Sequence, residues 1–184
     1  MKKFLPLLPL CAAIGIGIAG WWGLNPDRDP GAIPSVLINK PVPEFELASI
    51  TGTGIPNLKT QDLLENQEPI LVNFFASWCL PCRAEHAVLA RMVREEDLNL
   101  VGINYKDKPA TVAKWLAELG NPYRRIGSDQ TGRAGIEWGI SGVPETFIVG
   151  PGGKVIFRYV GPISSDVAIG KIREALAAAR MDKP

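Results

Sequence analysis

Cys79 and Cys82 stand with two residues between them in Trp78-Cys79-Leu80-Pro81-Cys82, directly after the apolar run Ile70-Leu71-Val72-Asn73-Phe74-Phe75-Ala76. The run reads as a buried strand, residues 70–76, and residues 80–96 read as a helix. Cys79 is then placed where strand gives way to helix. Backbone N–H groups and the positive helix end favour a thiolate there. Cys82, one turn on, can close a small disulfide ring with it. This is the arrangement of a dithiol that cycles, with Cys79 attacking and Cys82 resolving. Trp78 and Pro81 flank the sulfurs, and Trp78 is expected to cover them and limit access.

Other uses of the same residues stay open at this point. One is a static disulfide, although a C-x-x-C ring under an exposed tryptophan is a poor staple. A structural zinc site takes four Cys or His ligands, and the chain has three cysteines and one histidine, His86. Haem attachment needs His directly after the second cysteine, and position 83 is Arg. A copper site on Cys79, Cys82 and His86 is the metal alternative. In the redox reading no cofactor is needed, because the dithiol itself carries both electrons.

A second stretch bears on the same chemistry. Ser141-Gly142-Val143-Pro144-Glu145-Thr146 precedes a predicted strand. Beside a redox C-x-x-C, a cis Val143–Pro144 bond is expected. It would turn the Val143 backbone outward next to the cysteines, where an extended substrate can pair with it as an added strand.

The elements that must position these residues alternate along the chain. Residues 45–47 suggest an edge strand, 51–54 a turn and 58–66 a short helix. Residues 98–104 read as a strand, 109–119 as a helix with Pro109 in its first turn and Gly120 as its stop, and 131–138 as a short helix. Strands 145–149 and 154–160 are joined by Gly150-Pro151-Gly152-Gly153, a hairpin signal. The last helix, 164–180, is capped by Ser164 or Ser165 and is expected to bury Val167, Ile169, Ile172 and Leu176. The order implies an α/β domain, a mixed sheet with helices on both faces.

The 184 residues carry a net charge of +1, which gives no reason to expect nucleic acid as a partner. Lys2 and Lys3 precede an uncharged stretch, residues 4–24. It is long enough for a helix to span a bilayer, which takes about 20 residues. Trp21 and Trp22 would lie at the interface, and the lysines hold the N-terminus inside. The predicted organisation is a membrane anchor over 1–24, a tether over 25–36 and a domain over 37–184. A cleaved signal peptide is the alternative for the first segment, without a convincing cleavage site. Cys11 lies within this span and is read as an apolar membrane residue. The remaining pair then belongs to an extracytoplasmic compartment, where disulfide chemistry is at home.

The motifs together resemble the membrane-anchored CcmG/DsbE family of thioredoxin-like oxidoreductases. They are Lys40-Pro41-Val42-Pro43-Glu44-Phe45, Trp78 to His86, Gly102-Ile103-Asn104-Tyr105-Lys106-Asp107, Trp115-Leu116, Gly120-Asn121-Pro122-Tyr123 and Gly139 to Phe147. The C-x-x-C is generic; Asn-Tyr-Lys-Asp, Gly-Asn-Pro-Tyr and Gly-Val-Pro-Glu-Thr are much narrower. The resemblance implies a thioredoxin-like fold behind an N-terminal transmembrane helix, in the periplasm and anchored to a bacterial inner membrane. It implies electrons arriving from a membrane donor of the DsbD or CcdA type. They would leave to apocytochrome c or to a thiol protein of the haem-ligation machinery. General thioredoxins carry a buried aspartate in the strand before Trp-Cys, as proton acceptor for the second cysteine. This chain has Asn73 there, so Glu85 and Glu145 are the available carboxylates, and Glu145, after the presumed cis-proline, is the preferred one. Rival readings are a thioredoxin-like reductase for another extracytoplasmic substrate, a copper metallochaperone and a docking domain without catalysis.

The orientation is tested by a periplasm-active reporter fused after Pro184. The fusion is expected to be active and to fractionate with membranes; release of a soluble mature domain would instead support a cleaved signal.

Overall fold

A computed structural model of the chain describes residues 13–17, 20 and 35–181. The chain divides into two compact units, Met1–Pro34 and Ser35–Pro184. In the first, residues 13–17 and 20 are helical and exposed. The rest of the predicted span, and the predicted tether as far as residue 34, lie outside the described residues. Among the described residues no helix is long and apolar enough to cross a membrane.

The second unit is built on a five-stranded sheet in the order β5-β4-β3-β6-β7. Its centre is β3, Ile70–Phe75, buried along its whole length. A strand covered on both faces needs a near-continuous apolar run, and residues 70–76 supply one with Asn73 as its single polar member. β4, Asn99–Tyr105, runs parallel to β3, and β5, Arg125–Asp129, runs parallel to β4. β6, Glu145–Val149, is antiparallel to β3, and β7, Val155–Val160, is antiparallel to β6. The turn between β6 and β7 is a short 3-10 segment, Pro151–Gly153. The sheet is therefore mixed and flanked by helices, the architecture read from the element order.

Alternation along β3 divides the interior in two. Leu71 and Phe75 join Leu89, Met92, Trp115, Ile172 and Leu176 on one face. These come from α2 (Leu80–Glu96), α3 (Pro109–Leu119) and α5 (Asp166–Met181). Ile70, Val72 and Phe74 join Leu58, Leu63, Trp138 and Phe147 on the other. Phe74 meets the Trp138 and Phe147 rings edge-on, with centroids 5.6 and 5.9 Å away. Asn73 shares the parity of Leu71 and Phe75 and so faces α2.

Two sequence expectations change, and one strand appears that the sequence did not announce. Residues 58–66 are not one helix: β2, Leu58–Lys59, pairs antiparallel with β1, Glu46–Leu47, and α1 covers only Thr60–Leu64. Asp62 accepts from the Lys59 N–H at 2.9 Å and so fixes where the helix starts. Strand β5 carries no strong local signal in Arg-Ile-Gly-Ser-Asp. It forms because β4 offers an open edge and the 46–59 insertion covers its far side: Ser128 N donates to Ala48 O and Ile126 N to Pro56 O. Pairing partners outweigh intrinsic propensity here. Val167 is 70% exposed, whereas Ala168, Ile169, Ile172, Leu176 and Ala179 are buried. In α5, which follows the short α4, Arg133–Glu137, Ile169, Ile172 and Leu176 are buried as expected, and the small Ala168 takes the place expected of Val167.

Phe74→Ala removes the ring that both aromatic neighbours pack on. It is expected to cost about 3–5 kcal/mol of unfolding free energy, read as a lower urea midpoint at unchanged m-value.

Candidate active site

Cys79 is the N-cap of α2 and Pro81 lies in its first turn. The two cysteines form a disulfide with their Cα atoms 5.3 Å apart. The extended backbone of Cys79 turns its sulfur back over the helix start, where Sγ accepts the Cys82 N–H at 3.1 Å. Such a donor, with the helix dipole behind it, stabilises negative charge on sulfur. Cys82 is the deeper of the two, although both are buried, while Trp78 is 60% and Leu80 79% exposed. The Trp78 indole N–H donates to Lys106 O at 3.2 Å. That loop is itself tied to the cysteine loop, since Asp107 accepts from Ser77 N at 2.6 Å.

Facing the cysteines is the loop before β6. The Val143–Pro144 bond is cis. Val143 O lies 3.5 Å from Cys79 Sγ, within reach of a thiol at that sulfur. Pro81, Val143, Pro144, Val160 and Pro162 line a shallow groove of about 220 Å³ beside it. A larger cavity of about 400 Å³, between Glu44–Leu47 and Ser128–Glu137, contains no cysteine and none of the residues just named.

Glu145 and Glu85 are both about 1% exposed, and their surroundings set them apart. The Glu145 carboxylate is consumed by structure. Oε1 accepts from Ser141 N and Ser141 Oγ, both at 2.6 Å, and from Gly142 N at 3.2 Å. Oε2 pairs with the buried Arg158 guanidinium at 2.8 Å. These bonds speak against the preference for Glu145 as proton acceptor: its side chain anchors the loop that presents Val143.

Glu85 lies three residues after Cys82 on the same helical face. Its Oε2 accepts from Ile163 N and its Oε1 from Asn73 Nδ2, each at 2.9 Å. Burial pushes its carboxyl up from the ordinary 4.5 to about 7, against the pull of those two donors. A carboxylate poised near neutrality can both take and release a proton. Asn73 also donates to Thr146 Oγ1 at 3.0 Å and accepts from the Tyr123 hydroxyl at 2.9 Å. Asn73 thus holds the Glu85 carboxyl from the side.

His86 Nε2 meets Gly120 O at 2.9 Å and its ring stands edge-on to Trp115, centroids 4.3 Å apart. Burial lowers its pKa from 6.5, more than the Gly120 carbonyl raises it. Nε2 is turned to the backbone, and Nδ1 is buried without a hydrogen-bond partner among the described residues. Among the described residues no three His, Cys, Asp or Glu side chains group as a metal site would require.

Thr146, Tyr123, Ser141 and Arg158 carry no role in the sequence reading, yet they complete the two buried carboxylate sites. The signals were present in part: Tyr123 closes Gly-Asn-Pro-Tyr and Thr146 closes Gly-Val-Pro-Glu-Thr. Arg158 has none, because a cation inside an exposed-looking strand is legible only once Glu145 is seen opposite.

The chain matches the Redoxin family over residues 38–176. It is 39% identical over 177 residues to the thiol:disulfide interchange protein HelX of Rhodobacter capsulatus, covering 96% of this chain and 98% of that one. It is 37% identical over 170 residues to the thiol:disulfide interchange protein DsbE of Escherichia coli K12, covering 91% of this chain and 90% of that one. The crystal structure of a DsbE candidate from Chlorobium tepidum superposes with a TM-score of 0.67 at 23% identity, over 78% of this chain and 97% of that one, which shows a shared thioredoxin-like fold. With the Cys79–Cys82 pair at the helix start beneath the Val143 loop, these likenesses place the chain in the CcmG/DsbE family of thiol:disulfide interchange proteins, as a thiol–disulfide oxidoreductase.

Proposed function

We propose that this protein is a reductase of cytochrome c maturation, held to the outer face of a bacterial inner membrane by a single span over residues 1–24. Its substrate is the oxidised Cys pair of apocytochrome c or of a haem-ligation thiol protein. Its electrons come from a membrane donor of the DsbD or CcdA type. The run of narrow motifs shared with the CcmG/DsbE family supports the pathway. The observation that carries the chemistry is the Cys79 sulfur at the helix start, 3.5 Å from Val143 O, with Glu85 buried one turn after Cys82 on α2.

In the reduced protein the Cys79 thiolate attacks one sulfur of a substrate disulfide. That S–S bond breaks, its second sulfur leaves as a thiolate, and a mixed disulfide joins substrate to Cys79. The substrate strand lies along the Val143 backbone. Cys82 then gives its thiol proton to the Glu85 carboxylate and its sulfur attacks Cys79. The mixed disulfide breaks, the second substrate thiolate departs and takes up a proton, and the Cys79–Cys82 disulfide remains. Two electrons have passed to the substrate. Trp78 and Leu80 offer apolar contact around the exit.

Cys82→Ser is expected to trap substrates as mixed disulfides and Cys79→Ser to trap none; equal trapping by both would overturn the assignment of attack. Deleting the protein is expected to lower covalent haem attachment, with partial rescue by an added small thiol and bulk extracytoplasmic disulfides unchanged. Normal c-type cytochromes in the deletion strain, with no second reductase present, would remove the pathway while leaving the oxidoreductase.

The proton acceptor has its own signature in stability. A carboxyl whose folded-state pKa lies above its unfolded value binds its proton more tightly in the fold. The Glu85 contribution is therefore fully present below about 4.5 and is lost as pH rises towards about 7. The slope in that window reaches at most about 1.4 kcal/mol per pH unit. Urea unfolding of the oxidised protein across this range is expected to show the decline, and Glu85→Gln to flatten it.

A further inference from the structure

Tyr123 stands at the centre of a contact set more constrained than packing requires. Its ring stacks on Phe75, centroids 4.7 Å apart and planes within 13°. Its backbone is clamped by one side chain: Asn121 Oδ1 accepts from Tyr123 N at 3.0 Å and Asn121 Nδ2 donates to Tyr123 O at 2.9 Å. Gly120, at the start of the same turn, accepts from His86 at 2.9 Å. The hydroxyl is thus delivered to one place, Asn73 Oδ1.

That placement decides which way the Asn73 amide faces. A primary amide has one acceptor and two donor hydrogens on opposite ends. With Oδ1 taking the phenolic hydrogen, the NH2 must point the other way, to Glu85 Oε1 and Thr146 Oγ1. A reversed amide would set Oδ1 against a Glu85 oxygen, two acceptors face to face, which is tolerable only while Glu85 holds a proton. Burial, and then the negative Glu85, raise the Tyr123 hydroxyl well above its ordinary pKa, so it stays a donor throughout the working range.

We propose that Tyr123 is a positioning residue of the reduction cycle, which through the Asn73 amide holds a hydrogen-bond donor on Glu85 and keeps that carboxylate able to receive the Cys82 proton. The proposal rests on Glu85 being the proton acceptor. In the step it serves, the proton leaves Cys82 Sγ for Glu85 and the bonding pair stays on sulfur. That pair forms the new bond to Cys79 as the mixed disulfide breaks. Glu85 is bonded by Asn73 from β3 and by the Ile163 N–H before α5; Thr146 from β6 and Tyr123 after α3 reach it through Asn73, and Cys82 lies one turn earlier on its own helix. His86, next along that helix, is turned to Gly120, and burial favours its neutral form. Burial alone favours the protonated carboxyl; the oriented amide opposes it.

The test uses the full-length chain and two readouts. One is the Glu85 carboxyl midpoint by carbon-13 NMR against pH. The other is the pH profile of the rate at which Cys82 resolves a mixed disulfide between Cys79 and glutathione. Tyr123→Phe, which removes only the hydroxyl, is expected to raise the midpoint by about half to one pH unit and to displace the rate profile equally. Glu85→Gln is expected to flatten the profile. A Tyr123→Phe midpoint identical to the parent, with Glu85→Gln still flattening the profile, overturns the role of Tyr123 and leaves Glu85 as acceptor. Parental rates in Glu85→Gln at every pH overturn the acceptor and the Tyr123 role with it. If Tyr123→Phe does not fold, the unaltered protein decides: the Asn73 side-chain nitrogen-15 resonance must shift with the Glu85 midpoint, and a resonance flat across it overturns the proposal.

Discussion

A carboxyl group buried one helical turn from a dithiol is the constraint on which the rest of this structure depends. An unpaired carboxylate in an apolar interior is costly enough that it protonates instead. To serve as a base near neutral pH, Glu85 must be desolvated enough to want a proton and hydrogen-bonded enough to give it up. Ile163 N and Asn73 Nδ2 supply the second half of that balance, and each comes from a different element. The central strand, the loop before α5 and the turn after α3 must all be in register for one side chain to have a useful proton affinity. The polar network inside this core has few alternative arrangements, since a partly satisfied buried network costs more than an apolar one.

The second buried carboxylate shows how the same residue type is given a different task. Glu145 faces a guanidinium and three donors of its own loop. Its charge is matched on the spot, and it spans from β6 to β7 through Arg158. Removing one member of such a pair strands the other charge in the interior, at about 3–5 kcal/mol. Its value lies in fixing the Ser141–Gly142 turn, which sets Val143 O opposite Cys79. One glutamate thus holds the Val143 loop still, while the other keeps a carboxyl whose proton affinity lies near neutrality. The division follows from what faces each group, since their burial is the same.

The surface around the sulfurs combines exposed apolar side chains with a fixed backbone edge. Trp78, Leu80 and Val160 are exposed apolar groups on a domain that buries most others. The Trp78 indole is fastened to Lys106 O, so this face is shaped before a partner arrives. Specificity arises when a wrong partner leaves buried polar groups unpaired or meets apolar surface it cannot cover. A narrow groove with a fixed backbone edge and two tethered flanks has that property.

Much of this was legible in the residues themselves. The apolar run 70–76, the C-x-x-C after it, the helix punctuation by Pro109 and Gly120 and the Gly-rich hairpin are local signals. Local chemistry determines strands, helices and turns at those places, and so the position of Cys79 at a helix start. Strand β5 was not legible, because its pairing partners lie far away in the chain and its own residues have weak propensity. At the start of α5 the choice of Ala168 over Val167 for the inside was not legible either, because both are apolar and adjacent. The roles of the two glutamates were the deepest case. In sequence both are acids near a cysteine or a proline, and nothing nearby tells them apart. Only the tertiary structure puts Arg158 against Glu145, and Asn73, Tyr123 and Ile163 around Glu85. Proton affinity is a property of surroundings assembled from distant segments, which is why it follows from the fold and not from the motif.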